Sequence, residues 1–209
     1  MSTPPPAIHD VRSPENESGL VFLAKSGDRD AFGRLVLLHQ DRVFNAVARF
    51  CGDRDRALDI AQKAFVNAWR SIARFEEKAR FGTWLYRIAI NLAISDARSR
   101  RGEARSLAAI GDGRDDGADY DPPDPGAGPS AGAESRETQA LVQAAIRSLD
   151  EDHRAIIVLC DIEGRSYDEA AETLEVPKGT VRSRLHRARM ELKAKLERVL
   201  RGPDPATGA

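Results

Sequence analysis

Two runs in this 209-residue chain carry the side chains best suited to chemistry, and that chemistry is recognition rather than bond breaking. In the first, Trp84, Arg87, Asn91, Ser95 and Arg98 recur every three to four residues, so one helix would present aromatic, guanidinium and amide groups on a single face and end in Arg98-Ser99-Arg100-Arg101. Guanidinium groups attract phosphate. An indole and an amide suit unpaired bases, which can be stacked upon and read along their edges. The competing reading is a solvated basic face with Trp84 folded into the core. In the second run, Arg182, Ser183, His186, Arg187 and Arg189 fall opposite the apolar stripe Val181, Leu185, Ala188 and Leu192. Arginine pairs bidentately with guanine and serine bonds either class of base, so this face suits a major groove. Gly179 and Thr180, at the start of that helix, would offer backbone N–H groups to a phosphate. Here the competing reading is an ordinary arginine-rich solvent face.

Other chemistries find little support. The four histidines, His9, His39, His153 and His186, have no metal-ligand spacing and no nucleophile partner, so neither a metal site, a cofactor, a small-molecule substrate nor an enzyme is expected. Cys51 and Cys160 are isolated, which reads as structural thiols in a reducing compartment rather than a disulfide scaffold. No apolar run approaches the roughly 20 residues that span a bilayer. A cytoplasmic protein without direct membrane insertion is the expectation.

The elements that must position these residues are helical. Aromatics are only 6% of the chain while Ala, Leu, Arg and Glu abound, which disfavours a sandwich or barrel. Phe32, Leu35, Val36, Val43, Phe44, Val47 and Phe50 repeat at helical steps. Gly27-Asp28 and Cys51-Gly52-Asp53 break the pattern, each with an Asp able to cap the next helix. A third helix over 54–73 puts Leu58, Ala61, Phe65, Ala68 and Ile72 on its buried stripe, and a fourth starts near Thr83. Farther on, residues 140–149 and 152–163 read as two amphipathic helices, with Gly164 ending the second. Ser166-Tyr167-Asp168-Glu169 is a capping box, Glu175-Val176 makes a turn, and Pro177 opens the last helix. That is helix–turn–helix spacing.

The net charge of −1 hides an asymmetry. Residues 20–101 carry 16 Lys and Arg against 9 Asp and Glu, residues 102–137 carry 3 against 9, and residues 138–200 carry 11 against 11. In 111–133, 16 of 23 residues are Gly, Pro or Asp, too few apolar groups to offset chain entropy. The expected architecture is all-α: a tail over 1–17, a basic helical domain over 18–101, a disordered acidic linker over 102–137, a second small helical domain with the helix–turn–helix over 138–200, and a tail over 201–209.

Both blocks resemble the extracytoplasmic-function (ECF) sigma factors of bacterial RNA polymerase. The strings FGTWLYRIAINLAISDARSRR and GTVRSRLHRAR carry the resemblance, which covers residues 20–101 and 138–196. It implies a sigma region 2 domain followed by a sigma region 4 domain, acting with core RNA polymerase and promoter DNA under the control of an anti-sigma factor. It assigns Asp59, Gln62 and Phe65 to polymerase binding. It gives Phe75, Arg80, Phe81, Trp84, Arg87, Asn91 and Arg98 to the unpaired −10 element, and Gly179, Thr180, Arg182, Ser183, His186 and Arg187 to the −35 duplex. Lys63 stands where the family usually has an acid, Asp150 where it has Pro, and Glu175 where the turn has Gly. The alternative is a helix–turn–helix regulator that binds duplex without serving as a sigma subunit.

Overall fold

The computed structural model describes residues 14–110 and 131–201. Helices α1 (Pro14–Lys25), α2 (Arg29–Cys51), α3 (Arg54–Ser71) and α4 (Phe81–Ile110) form the first block, with a 3₁₀ turn over Ile72–Arg74 before the loop that enters α4. Helices α5 (Ala131–Arg147), α6 (Glu151–Ile157), α7 (Tyr167–Leu174) and α8 (Lys178–Arg201) form the second, and a wide π turn over Val158–Ile162 extends α6. Among the described residues there is no strand.

Local chemistry sets the boundaries. The Asp28 carboxylate accepts the N–H groups of Asp30 and Ala31 and caps α2; Asp53 caps α3 from the N–H of Arg56. Between them Gly52 takes φ 66°, and its N–H closes α2 on the Ala48 carbonyl at 2.8 Å. Glycine is required there twice over, because a Cβ would fall 2.3 Å from Cδ of Arg147, which donates to the Gly52 carbonyl. Asp150, in place of the family's Pro, caps α6 through the His153 N–H. The Ser166–Glu169 capping box forms at α7. Glu175 ends α7 at φ 54°, a left-handed conformation that costs a side-chain-bearing residue about 1–2 kcal/mol.

Several expected boundaries move. Residues 14–17 are helical, and Glu17 reaches the buried ring of His39 at 3.3 Å. Burial lowers the His39 pKa, and the Glu17 carboxylate opposes that effect. Helix α4 starts at Phe81, its first bond running from the Trp84 N–H to the Arg80 carbonyl, so Thr83 lies in the first turn and is buried rather than capping it. Helix α4 also continues through 102–110, and α5 starts at 131, both inside the span expected to be linker. Ala104, Leu107, Ala108 and Ala109 are strong helix formers, and local propensity carries the helix past the basic cluster. The rest of the expected linker, 111–130, and the tails 1–13 and 202–209 lie outside the described residues.

Leu35, Val47, Phe50, Leu85 and Ile90 are fully buried in the first block, as are Leu149, Ile156, Leu159, Val181 and Ala188 in the second. The two sets join in one continuous core, with α4 packed on α6 and α7 and α2 on α5. Arg154 fastens this seam. Its guanidinium is buried, donates to the carbonyls of Phe50, Arg147 and Leu149, and lies 5.1 Å over the Phe50 ring.

Cys51, at the end of α2, is half-buried, and burial pushes its thiol up to about 12. Burial also raises the Cys160 thiol. Only the thiolate attacks, so a pKa above the ambient pH slows alkylation. Iodoacetamide in mildly alkaline buffer is expected to label Cys160 ahead of Cys51 in the native chain, the two rates converging in denaturant. Rapid native labelling of Cys51 would contradict this account of its burial.

Candidate nucleic-acid interface

Helix α4 projects the first recognition face as its spacing requires. Asn91, Ser95 and Arg98 are exposed and Trp84 and Arg87 half-buried, while Leu85 and Ala89 point into the core. The loop before α4 adds an aromatic cluster. The Trp84 ring centroid lies 4.9 Å from that of Phe75 and 5.7 Å from that of Phe81, and the two phenylalanines meet edge to face at 6.0 Å. Phe75 and Phe81, expected to meet DNA, are instead buried at 6% and 4% exposure. Their apolar rings gain more from packing beneath Trp84 than from water, so they support the surface rather than form it. Trp84 is thus part core and part surface, between the two readings of it.

Beside this cluster lies a cleft of about 190 Å³, bordered by Phe75, Lys78, Thr83, Trp84 and Arg87. Arg80 is exposed at the end of the loop. Glu77 holds the loop in a left-handed conformation, φ 58°, and is tied to Lys25 of α1 at 2.8 Å. The cleft therefore has an apolar floor, walls that set Arg74, Lys78 and Arg87 among Glu76, Glu77 and Glu172, and an amide one turn along α4. This set of groups suits a planar, hydrogen-bonding, anionic-backbone ligand such as an unstacked nucleotide.

Helix α8 presents the second face. Val181, Leu185 and Ala188 are buried, and Arg182, Ser183, His186 and Arg187 are exposed on the other side. The Arg182 guanidinium lies 5.9 Å from the Tyr167 ring centroid. Ser183 donates to the Thr180 carbonyl at 3.1 Å, which leaves its oxygen free to accept. Arg189 is tied down by two bonds to Asp161, at 3.0 and 2.5 Å. One expectation fails: the Thr180 N–H donates to the Pro177 carbonyl at 2.8 Å, so it is not available to a phosphate. The first turn of α8 closes on Pro177, and only Gly179 retains the proposed amide role.

The residues assigned to polymerase lie on α3. Asp59 and Gln62 are exposed; Phe65 is half-buried. Phe44, Leu58, Gln62 and Phe65 line a groove of about 390 Å³ between α2 and α3. Leu58 was expected in the core and is 51% exposed, because the stripe that packs on α2 runs through Ala57, Ile60, Ala61 and Ala64 instead. Lys63 pairs with Asp59 at 2.5 Å, so the cation that departs from the family pattern neutralises its neighbour one turn away.

Sequence spacing does not reveal how the two blocks meet. Glu163 accepts from Arg49 at 2.6 Å and faces the Tyr86 hydroxyl at 3.5 Å, and the Arg165 guanidinium covers the Tyr86 ring at 4.3 Å. Burial and the Glu163 carboxylate raise the Tyr86 pKa. The one visible signal is the apolar stretch Leu85-Tyr86 and Ile88-Ala89-Ile90, interrupted only by Arg87, too wide for a helix that packs on one side only. The fold also brings Asp150 and Glu191 to 2.8 and 2.9 Å of the His153 Nδ1, a grouping that the spacing of the histidines does not show.

Comparison with known proteins follows the same division. Residues 35–103 match the Sigma-70 region 2 family model and residues 139–192 the Sigma-70, region 4 model. The chain is 37% identical over 193 residues to RNA polymerase sigma-H factor of Pseudomonas aeruginosa, covering 90% of this chain and 97% of that one. It is 35% identical over 185 residues to the ECF RNA polymerase sigma-E factor of Escherichia coli K12, covering 87% and 95%. Among solved structures it is similar to CnrH in complex with the cytosolic domain of CnrY, with TM-score 0.60 and 28% identity over 87% of this chain and 97% of that one. It is also similar to RpoE in complex with the anti-sigma factor NepR from Bartonella quintana, with TM-score 0.61 and 25% identity over 79% and 96%. No helix among the described residues is long and apolar enough to cross a membrane.

Proposed function

The chain belongs to the extracytoplasmic-function RNA polymerase sigma factors, and we propose on that premise that its two basic surfaces divide promoter recognition between them. As an alternative sigma factor it binds core RNA polymerase, recognises −35 and −10 promoter elements, and promotes melting and initiation. It contributes binding rather than bond chemistry. The exposed face of α8, with Arg182, Ser183, His186 and Arg187 and the Gly179 amide, reads the −35 duplex. The cleft before α4, with Trp84, Arg87, Asn91 and Arg80, takes unpaired −10 bases, with Arg98 on the backbone. The groove between α2 and α3, with Gln62, Phe65 and Asp59, docks on polymerase. The work is done in the cytoplasm, and the NepR-bound relative supports an anti-sigma factor as its regulator.

Melting then follows from differential binding: a site that accepts only unpaired bases stabilises the open duplex and not the closed one. The observation that favours this reading over a duplex-binding regulator is the cleft itself, an aromatic floor beside Arg87 on the helix that presents Asn91. Intact duplex would leave it unused. Asn91→Ala is expected to slow open-complex formation by holoenzyme on duplex promoters, and to do so much less on templates pre-melted at −10. Equal rates for variant and parent on both templates would remove Asn91 from the site.

A further inference from the structure

The loop that walls one side of the cleft is held in a conformation that its own residue types do not favour. Phe75 and Phe81 are buried and pin its two ends, and residues 76–80 run between them. At its centre Glu77 takes φ 58°, a left-handed value that residues with a side chain seldom adopt. Glu77 is exposed, so no core packing demands this turn. Such outliers persist only where the surroundings over-determine them, and they gather at binding sites.

Two ion pairs fix the turn. Glu76 and Lys78 meet at 2.5 Å across Glu77, which closes the loop on itself. The Glu77 carboxylate accepts from the Lys25 ammonium at 2.8 Å, and among the described residues this is the one ion pair that ties the loop to another element. Lys25 is a firm base for the tie. Leu20, Val21 and Ala24 are buried and set the rotation of α1, and the ammonium lies in the last turn, where the helix dipole favours a cation. Glu76, Glu77, Lys78 and Ala79 all line the cleft, so the turn at Glu77 decides where that wall stands. A wall already in place need not be ordered when a base enters, and affinity is not lost to ordering it.

We propose that Lys25, on a helix that contributes no lining to the cleft, is a positioning residue for −10 recognition: through Glu77 it holds the loop in its left-handed turn and so pre-forms the cleft wall. This rests on the cleft being the −10 site. Lys25 acts on the loop and not on the DNA.

The test uses holoenzyme assembled from core polymerase and the full chain. The probes are a labelled single strand carrying the −10 element of a promoter that the parent transcribes, and a −35 duplex, both read by fluorescence anisotropy. Lys25→Met is expected to weaken −10 strand binding about threefold, the size of one partly exposed ion pair. Glu77→Val, whose β-branched side chain resists positive φ, is expected to weaken it about tenfold. Glu77→Gly keeps the turn and loses only the tie. It is expected to match Lys25→Met, and adding Lys25→Met to it is expected to change nothing further. Binding of the −35 duplex stays at the parent level in every variant, which also reports that each is folded. Parent-level −10 binding by Lys25→Met would overturn the proposal. So would a second loss of about threefold when Lys25→Met is added to Glu77→Gly, because Lys25 would then act as a charge on the strand itself. Asn91→Ala in the same assay separates the two failures. If it weakens −10 binding while Lys25→Met does not, positioning fails and the −10 reading stands; if neither does, both fall.

Discussion

Arg187→Ala is expected to cost about 1–3 kcal/mol of discrimination at one position of the −35 element, a loss of roughly 5- to 150-fold for the preferred sequence over its single-base variants. The argument starts with the opposite side of α8. Val181, Leu185 and Ala188 are buried, which fixes the rotation of the helix and leaves Arg187 exposed beside Arg182, Ser183 and His186. Unlike Arg189, which Asp161 holds in a two-pronged pair, Arg187 has no ion pair with any described residue, so its five N–H donors are available to a guanine edge. Binding measured against a panel of −35 variants checks the expectation. Loss concentrated at one base pair identifies direct readout; uniform loss across all sequences would make Arg187 a phosphate contact and move specificity to its neighbours.

The second large effect concerns stability. Arg154→Ala is expected to lower the unfolding free energy by about 3 kcal/mol. Three carbonyls, from Phe50 in the first block and from Arg147 and Leu149 in the second, converge on one buried guanidinium. Hydrogen bonds to charged donors contribute about 1.5–3 kcal/mol each, and carbonyls left buried without partners add a desolvation penalty. Against this stands the cost of burying the charge, which lowers the Arg154 pKa. That opposing cost keeps the expected loss near one such bond and a half rather than three. Arg154→Lys should recover only part of it, since an ammonium lacks the planar fork that reaches several carbonyls at once. Urea unfolding followed by circular dichroism reads the change. A loss below about 0.5 kcal/mol, the size of an ordinary surface substitution, would show that the guanidinium is not the fastener between blocks.

What was legible in the sequence was whatever local chemistry decides. The caps at Asp28, Asp53 and Ser166, the left-handed break at Gly52, and the rotation of α8 all follow from residue type and spacing. The candidate faces on α4 and α8 followed too, because a helix that buries one stripe must expose the other. What escaped depended on packing between distant residues. Phe75 and Phe81, which the resemblance gives to the −10 element, lie buried against Trp84. Leu58 looks like core until the alanines beside it prove small enough to bring α3 close to α2. Tyr86 and Arg154 acquire meaning only when Glu163, Arg165 and the Phe50 carbonyl arrive from the other block. A tether-rich sequence suggests two independent domains; complementary ion pairs and a shared apolar core hold them together in the structure.

The most direct test of the central claim is run-off transcription with purified core RNA polymerase, this chain, and a library of promoters varied at −35 and −10. The account predicts transcripts that start at a fixed distance from paired −35 and −10 elements and that vanish when the chain is omitted. A chain that binds duplex through α8 yet neither associates with core polymerase nor directs any start would contradict it, and would leave the α4 face without a role.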